Sequence, residues 1–230
     1  MKLGALLLLM GGFFFYYGIQ VGGWAVVLFW PGLSFSVVAS GYFGLGPRVF
    51  GKRPDGTIAW YALVSLLPYF VYTWMVWHLV RLFSGEDCYN RISPELYLGR
   101  RALAHELPPE VATVVDLTSE FPEPEGVRTG RHYICVPTLD ASVPSNFEAL
   151  VATILDLTPP TYIHCAQGHG RSGTLVAALL MANGTAKDAD EAISLVRTVR
   201  PGVRLNARQK AFLQQQQRRP SRRARTAPPT

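Results

Sequence analysis

Cys165 and Arg171 lie six residues apart in the run HCAQGHGRSGT (164–174), between a β-rich apolar stretch (Tyr162, Ile163) and a long apolar segment. Gly168, Gly170 and Gly173 let this loop turn its backbone N–H groups inward, where they can cradle a tetrahedral oxyanion. The following segment reads as a helix whose N-terminal end adds positive potential at the same spot. A thiol at the bottom of such a bowl is held as thiolate, the reactive form. Arg171 can grip two phosphate oxygens with its planar fork, which a lysine cannot do in the same way. The pattern points to attack of sulfur on phosphorus, with the backbone of Ala166, Gln167, Gly168, His169, Gly170 and Arg171 around the phosphate. A zinc reading of His164, Cys165 and His169 fails, because no fourth ligand is near and the Arg-Ser continuation has no place in it.

This run resembles the Cys-x5-Arg-Ser/Thr signature of the protein tyrosine and dual-specificity phosphatase superfamily, with Cys, Gly, Arg, Ser and the preceding His in register. ISPELYLGRR (92–101) is similar to the opening strand of the dual-specificity members, and RPGVRLNARQKAFL (200–213) to their closing segment. The resemblance implies a hydrolase of phosphate monoesters that works through a phosphocysteine and needs no cofactor or metal. Its substrates would be phosphoproteins or phospholipids, phosphoinositides included.

The leaving oxygen of such a substrate needs a proton from a positioned acid. The resemblance places an Asp on a mobile loop ahead of the cysteine; Asp140, in VPTLDASVPS, lies 25 residues before Cys165 and takes that role. Asp116, in VVDLTSEF, is the runner-up and reads as a structural or substrate-shaping carboxylate. Ser172 can donate to the sulfur and ease its departure from the phosphoenzyme. His164 would fix the loop by hydrogen bonding. His169 faces the mouth, in a slot that lipid-directed relatives often fill with lysine. Cys135, in HYICV, reads as a buried strand hydrophobe, with a redox role only if it lies near Cys165. A catalytically weak phosphate-binding membrane adaptor is the alternative; it would lack Cys, Arg or the acid, and this chain has all three.

The elements that must position these residues alternate. Leu96–Gly99, Val111–Leu117, Tyr133–Val136 and Tyr162–His164 read as strands. Helices are expected over Asn146–Asp156 (capped by Ser145), Ser172–Asn183, Asp188–Arg200 and Asn206–Gln217. Such alternation implies an α/β domain, about 84–217, with a mainly parallel central sheet flanked by helices. This is also the dual-specificity-phosphatase-like fold that the resemblance implies.

Ahead of that domain the composition changes. Leu3 to Pro47 contains no Asp, Glu, Lys, Arg or His. As one helix it would be about 68 Å long, against a hydrocarbon core of about 30 Å, so it reads as two passes turning near Gly22-Gly23. A third run, Thr57 to Val80, carries Trp60, Tyr61, Tyr72, Trp74 and Trp77, with Pro68 as a kink. The expectation is a multi-pass membrane region over 1–83 with helices at about 3–20, 24–45 and 57–80. Three crossings would put the Arg48/Lys52/Arg53 loop and the phosphatase domain on opposite faces, although the basic flanks of both favour the cytoplasm. The reactive thiol favours a reducing compartment, so the catalytic domain is placed in the cytoplasm.

Net charge is +6, but the stretch 84–217 holds 12 basic and 15 acidic residues. The excess lies at the membrane flanks and in a basic tail (218–230) with Arg218, Arg219, Arg222, Arg223 and Arg225, expected to be disordered. That tail suits solubility or anionic lipid; it has no aromatic residue for base stacking, so nucleic acid is not an expected partner. Oligomeric state is not legible.

Overall fold

A computed structural model describes residues 2–217; the arginines expected to form the basic tail lie outside the described residues. The apolar region opens with helix α1 (Lys2–Val21), a turn at Gly22-Gly23 with positive φ at both, and a 3-10 stretch, Gly23–Leu28. Helix α2 (Phe29–Ser40) returns antiparallel and runs on irregularly through Gly41–Leu45 and Gly46–Phe50. Gly4, Gly11 and Gly18 recur every seven residues on one face of α1 and are all buried. A methyl group at Gly4 would meet Tyr42 Cβ at 2.7 Å, one at Gly11 the Gly32 carbonyl oxygen at 2.9 Å, and one at Gly18 the Phe29 ring at 2.8 Å. The two backbones therefore approach through a stripe of missing side chains, the close packing that apolar helices use when no hydrophobic force separates helix from surroundings. Their outer faces expose Leu9, Phe13, Ile19, Trp24 and Val26. Two stretches, Lys2–Val21 and Gly23–Phe50, are long and apolar enough to cross a membrane.

The run expected as a single third helix is two helices, α3 (Trp60–Ser65) and α4 (Leu67–Phe83). The break has a physical cause. Pro68 has no N–H to give the carbonyl four residues back, and that carbonyl, of Val64, instead accepts from Trp30 Nε1 at 3.1 Å. Pro68 then starts α4, where its missing N–H costs nothing. The connection between α2 and α3 does not lie on the far side from the α/β domain: it is hydrogen-bonded to that domain. Glu123 N–H donates to the Gly56 carbonyl at 2.9 Å, and Arg128 Nη1 to that of Asp55 at 2.7 Å.

Beyond α4 the chain forms strand β1 (Tyr89–Ser93), absent from the sequence expectation, and β2 (Leu96–Arg100) antiparallel to it. β3 (Thr113–Thr118), a short helix α5 (Glu125–Arg128), β4 (His132–Thr138), α6 (Phe147–Leu155) and β5 (Thr161–Cys165) follow. Helices α7 (Arg171–Ala182), α8 (Ala189–Val199) and α9 (Ala207–Gln217) complete the fold. The sheet order is β1-β2-β5-β3-β4, and every pair except β1–β2 is parallel. This is the α/β domain that the alternation implied, with β5 at its centre and the cysteine at the carboxyl edge of β5, where open parallel sheets place their sites. Helix α6 is not capped by Ser145; Asn146 precedes it in a left-handed conformation, and its side chain makes no capping bond. Asp188 does cap α8, accepting from Glu191 N–H at 2.8 Å.

Candidate active site

The loop 166–170 that follows Cys165, expected to cradle phosphate, joins β5 to α7. Gly168, at φ 75°, brings the loop against the end of β2, where a side chain would meet the Gly99 carbonyl carbon at 2.5 Å and Arg100 N at 2.7 Å. Cys165 Sγ receives the Gly168 N–H at 3.3 Å and lies 3.2 Å from Ser172 Oγ. The Gly168 N–H and the amino end of α7 both point toward the sulfur.

Arg171 is buried, and its fork is already occupied. Nη2 bonds Glu120 Oε1 at 2.6 Å, and Nη1 bonds Glu120 Oε2 at 3.0 Å and the Thr138 carbonyl at 2.8 Å. Burial pushes the Glu120 carboxyl up, but the Arg171 charge outweighs it and holds the group below its ordinary range. Nε makes no hydrogen bond among the described residues and stands within ion-pair reach of Asp140 Oδ1, at 3.7 Å. Glu120 was not singled out in the sequence, although a carboxylate three residues past β-rich VVDL was visible there.

Asp140 is 64 % exposed on the loop after β4. Its neighbours pin that loop from two sides. Leu139 is buried with Leu7, Phe35, Phe50 and Phe70 of the apolar region. From the closing segment, Asn206 Nδ2 donates to the Ala141 carbonyl at 2.8 Å and Gln209 Nε2 to that of Ser142 at 3.1 Å.

A cavity of about 640 Å³ lies over the loop. One wall is Cys165, Ala166, Gln167, His169, Gly170 and Arg171 with Asp140; the other is apolar, formed by Leu3, Tyr42, Phe50, Tyr69, Val76 and Trp77. Trp77 Nε1 donates to the Ala166 carbonyl at 2.8 Å, and Trp74 Nε1 to that of Glu120 at 3.0 Å. His169 does not wait unpaired at the mouth: its Nε2 is 2.6 Å from Glu86 Oε2, which Arg200 Nη2 also meets at 3.3 Å. Arg204 lines the same cavity and, among the described residues, has no ion-pair or hydrogen-bond partner.

Asp116, the runner-up acid, is removed from the cavity. Its side chain is fully buried, with Lys52 Nζ at 2.5 Å, Tyr133 OH donating at 2.6 Å and Thr118 N–H at 2.7 Å. Burial pushes its carboxyl up, but the Lys52 charge and His164 more than reverse this, so it stays ionised. A carboxylate so enclosed cannot carry protons to a substrate, nor shape one. His164 Nε2 lies 3.8 Å from Asp116 Oδ1 and 3.7 Å from Glu123 Oε1. Among the described residues neither ring nitrogen has a hydrogen-bond partner, so burial and stacking on Tyr162, centroids 5.4 Å apart, hold the ring in place of the expected hydrogen bonding. Burial lowers its pKa to about 4. Asp116, Glu123 and His164 bring one ligand atom each within 4.8 Å of one another. The Lys52 ammonium already supplies the cation there, so the donor set does not fit a divalent ion, whose charge would add to it. Cys135 is a free thiol on β4, paired in register with Asp116.

The family model described as "Swiss Army Knife protein, DSP-PTPase phosphatase domain" matches residues 100–229. Among solved structures, the crystal structure of PTPMT1 is similar with TM-score 0.53 and 25% identity, over 60% of this chain and 99% of that one. That of PTPMT1 in complex with PI(5)P has the same TM-score and identity, over 61% and 100%. The structure of Tk-PTP in the active form follows with TM-score 0.52 and 26% identity, over 58% and 98%. No curated protein matches the chain.

Proposed function

Since the chain belongs to the dual-specificity and tyrosine phosphatase family, as a phosphoric monoester hydrolase, we propose that it is a membrane-anchored enzyme that dephosphorylates a lipid at Cys165. The observation that carries this reading is the shared cavity: the groups that would do the chemistry and the apolar helices line one space. A phosphate fills only a small part of about 640 Å³, and the remainder is walled by aromatic and aliphatic side chains suited to glycerol and the first carbons of acyl chains. The neighbour crystallised with PI(5)P supports a lipid phosphate as substrate class.

In the first step the Cys165 thiolate attacks phosphorus, the S–P bond forms and the P–O bond to the leaving group breaks. Asp140 gives that oxygen its proton. The loop N–H groups and the Nε edge of Arg171, whose two Nη atoms are held by Glu120, meet the charge on the equatorial oxygens. In the second step water attacks phosphorus and passes a proton to Asp140, the S–P bond breaks, and Ser172 donates to the departing sulfur.

The apolar hairpin α1–α2 is read as two crossings that begin and end on the phosphatase side. Lys2, Arg48, Lys52, Arg53 and Arg81 then share one face, which the positive-inside rule assigns to the cytoplasm. Purified full-length protein in vesicles, assayed on phosphatidic acid, a phosphoinositide, a phosphotyrosine peptide and an aryl phosphate, tests the reading. A kcat/KM at least about tenfold higher for a lipid than for the peptide is expected; the reverse order would overturn it.

A further inference from the structure

We propose that Lys52, in the connection between the apolar helices, is a positioning residue for phosphoryl transfer, acting through Asp116 on the strand end that carries His164 and Cys165. Lys52 belongs to a part of the chain outside the family match. Yet its side chain is fully buried in the phosphatase domain, and its three donors are all used: Asp116 Oδ2 at 2.5 Å, the Thr118 carbonyl at 2.8 Å and Thr118 Oγ1 at 2.7 Å.

Thr118 ends β3, and the segment after it carries Glu120, the partner of Arg171. Asp116 pairs in register with His164 on β5, one residue before the nucleophile. One ammonium thus ties together the strand that leads to the arginine clamp and the strand that ends at the sulfur. Around His164 stand Asp116, Lys52 and Arg101 as charged groups and Glu123 as a carboxyl that burial keeps protonated, with the ring of Tyr162 stacked against it. Lys52 and Arg101 disfavour protonation of the imidazole, and Asp116 favours it.

Without Lys52 the buried Asp116 carboxylate would have to take its cation from His164. A new positive charge would then form one residue from the nucleophile, and β3 would lose its tie. The phosphatase part is on this account not autonomous, even toward a soluble ester that never meets a membrane. The proposal does not rest on the lipid reading, and the two fail separately because its assay uses only an aryl phosphate.

The experiment compares full-length Lys52→Met, Lys52→Arg, Lys52→Met/Asp116→Asn and Arg53→Gln with wild type, at one ionic strength in detergent. The readouts are kcat and KM on the aryl phosphate and the NMR titration of the His164 imidazole. Lys52→Met should lower kcat at least about tenfold with KM within about twofold, the pattern of misplaced groups and not of lost binding. The His164 midpoint should rise from about 4 by more than about one unit. Lys52→Arg should recover most of both, and exposed Arg53→Gln should behave as wild type.

The double variant leaves no unpaired buried charge and remains measurable if Lys52→Met does not fold. In it the His164 midpoint should stay near the wild-type value, while kcat stays depressed because β3 is untied. Wild-type kcat in the double variant, or an unchanged kcat and His164 midpoint in Lys52→Met, would overturn the proposal. A drop in Arg53→Gln equal to that in Lys52→Met would do the same.

Discussion

Two buried ion pairs flank the nucleophile, and they are built differently. Arg171–Glu120 borders the cavity; its partners lie within the phosphatase domain, and Arg171 Nε makes no hydrogen bond among the described residues, with only the exposed Asp140 carboxylate 3.7 Å away. Lys52–Asp116 lies beneath the loop; its cation comes from the apolar region, and every donor on it is spent. The first pair is open toward the cavity. The second is a closed joint between two parts of the chain. A guanidinium keeps a free edge after two bonds to a carboxylate, whereas an ammonium with three acceptors has nothing left to offer. Function can therefore be assigned to the first pair by what it leaves open, and to the second only by what it connects.

The largest effects should come from the open side. Cys165→Ser should abolish turnover on every substrate while phosphate still binds, since a hydroxyl is a far weaker nucleophile than a thiolate here. Turnover by the serine variant would remove the basis for comparing the pairs at all. Arg171→Lys should cost on the order of 10²–10³-fold in kcat, because the bidentate clamp on Glu120 and the free edge toward phosphate are lost together. A loss under about tenfold would mean that the open edge is not where charge develops. Asp140→Asn should lower kcat by about 10²-fold, and most for poor leaving groups. Equal loss across leaving groups would take the acid role away from this loop.

The open side was largely legible in the sequence because its chemistry is local. Cys165, the loop backbone, Arg171 and Ser172 occupy eight consecutive positions, 165–172, and Asp140 is proposed as the acid from the spacing that the family resemblance implies. The parallel sheet was legible for a similar reason, since strands and helices alternate with readable periods. The joint was not. Lys52 and Asp116 are 64 positions apart, and a lysine between two apolar runs reads as a membrane flank until a structure shows it buried. The break at Leu66 was half visible through Pro68, but the Trp30 indole that satisfies the freed carbonyl was not. Nor was the Gly4/Gly11/Gly18 stripe singled out, although its spacing stood in plain sequence.

A smaller effect is expected at the mouth, where Arg204 lines the cavity without an ion-pair or hydrogen-bond partner among the described residues while His169 and Arg200 share Glu86. Arg204→Gln should raise KM several-fold, to about tenfold, for a lipid carrying a phosphodiester beside its monoester, and less than about twofold for an aryl phosphate. Arg208→Gln, exposed on α9, separates this from bulk attraction to anionic surfaces. Equal KM changes in the two variants would confine recognition to the phosphate loop.

The smallest expected effect sharpens the contrast from the closed side. Glu123 is buried beside the joint, 3.7 Å from His164 and 3.5 Å from Arg101, and neither of its oxygens has a hydrogen-bond partner. Burial, reinforced by the Asp116 charge, raises its pKa from 4.5 to about 8. The folded protein thus holds this proton more tightly than the unfolded chain does. Stability from Glu123 is fully present below about 4.5, falls as pH rises, and is lost by about 8. Asp116 runs the other way: its lowered pKa gives stability above the ordinary carboxylate value of 3.8 that disappears in acid. Glu123→Gln removes only the first dependence. It should leave Tm nearly unchanged at pH 4.5 and raise it at pH 8, by about 2–4 °C for each kcal/mol recovered. Thermal unfolding of both proteins across that range measures the difference. A gap between variant and wild type that stays constant from pH 4.5 to 8 would show that Glu123 carries the same charge folded and unfolded. The cluster under the phosphate loop would then hold two full negative charges against Lys52 and Arg101, and the joint would be a balanced four-charge network, not one ion pair beside a neutral acid.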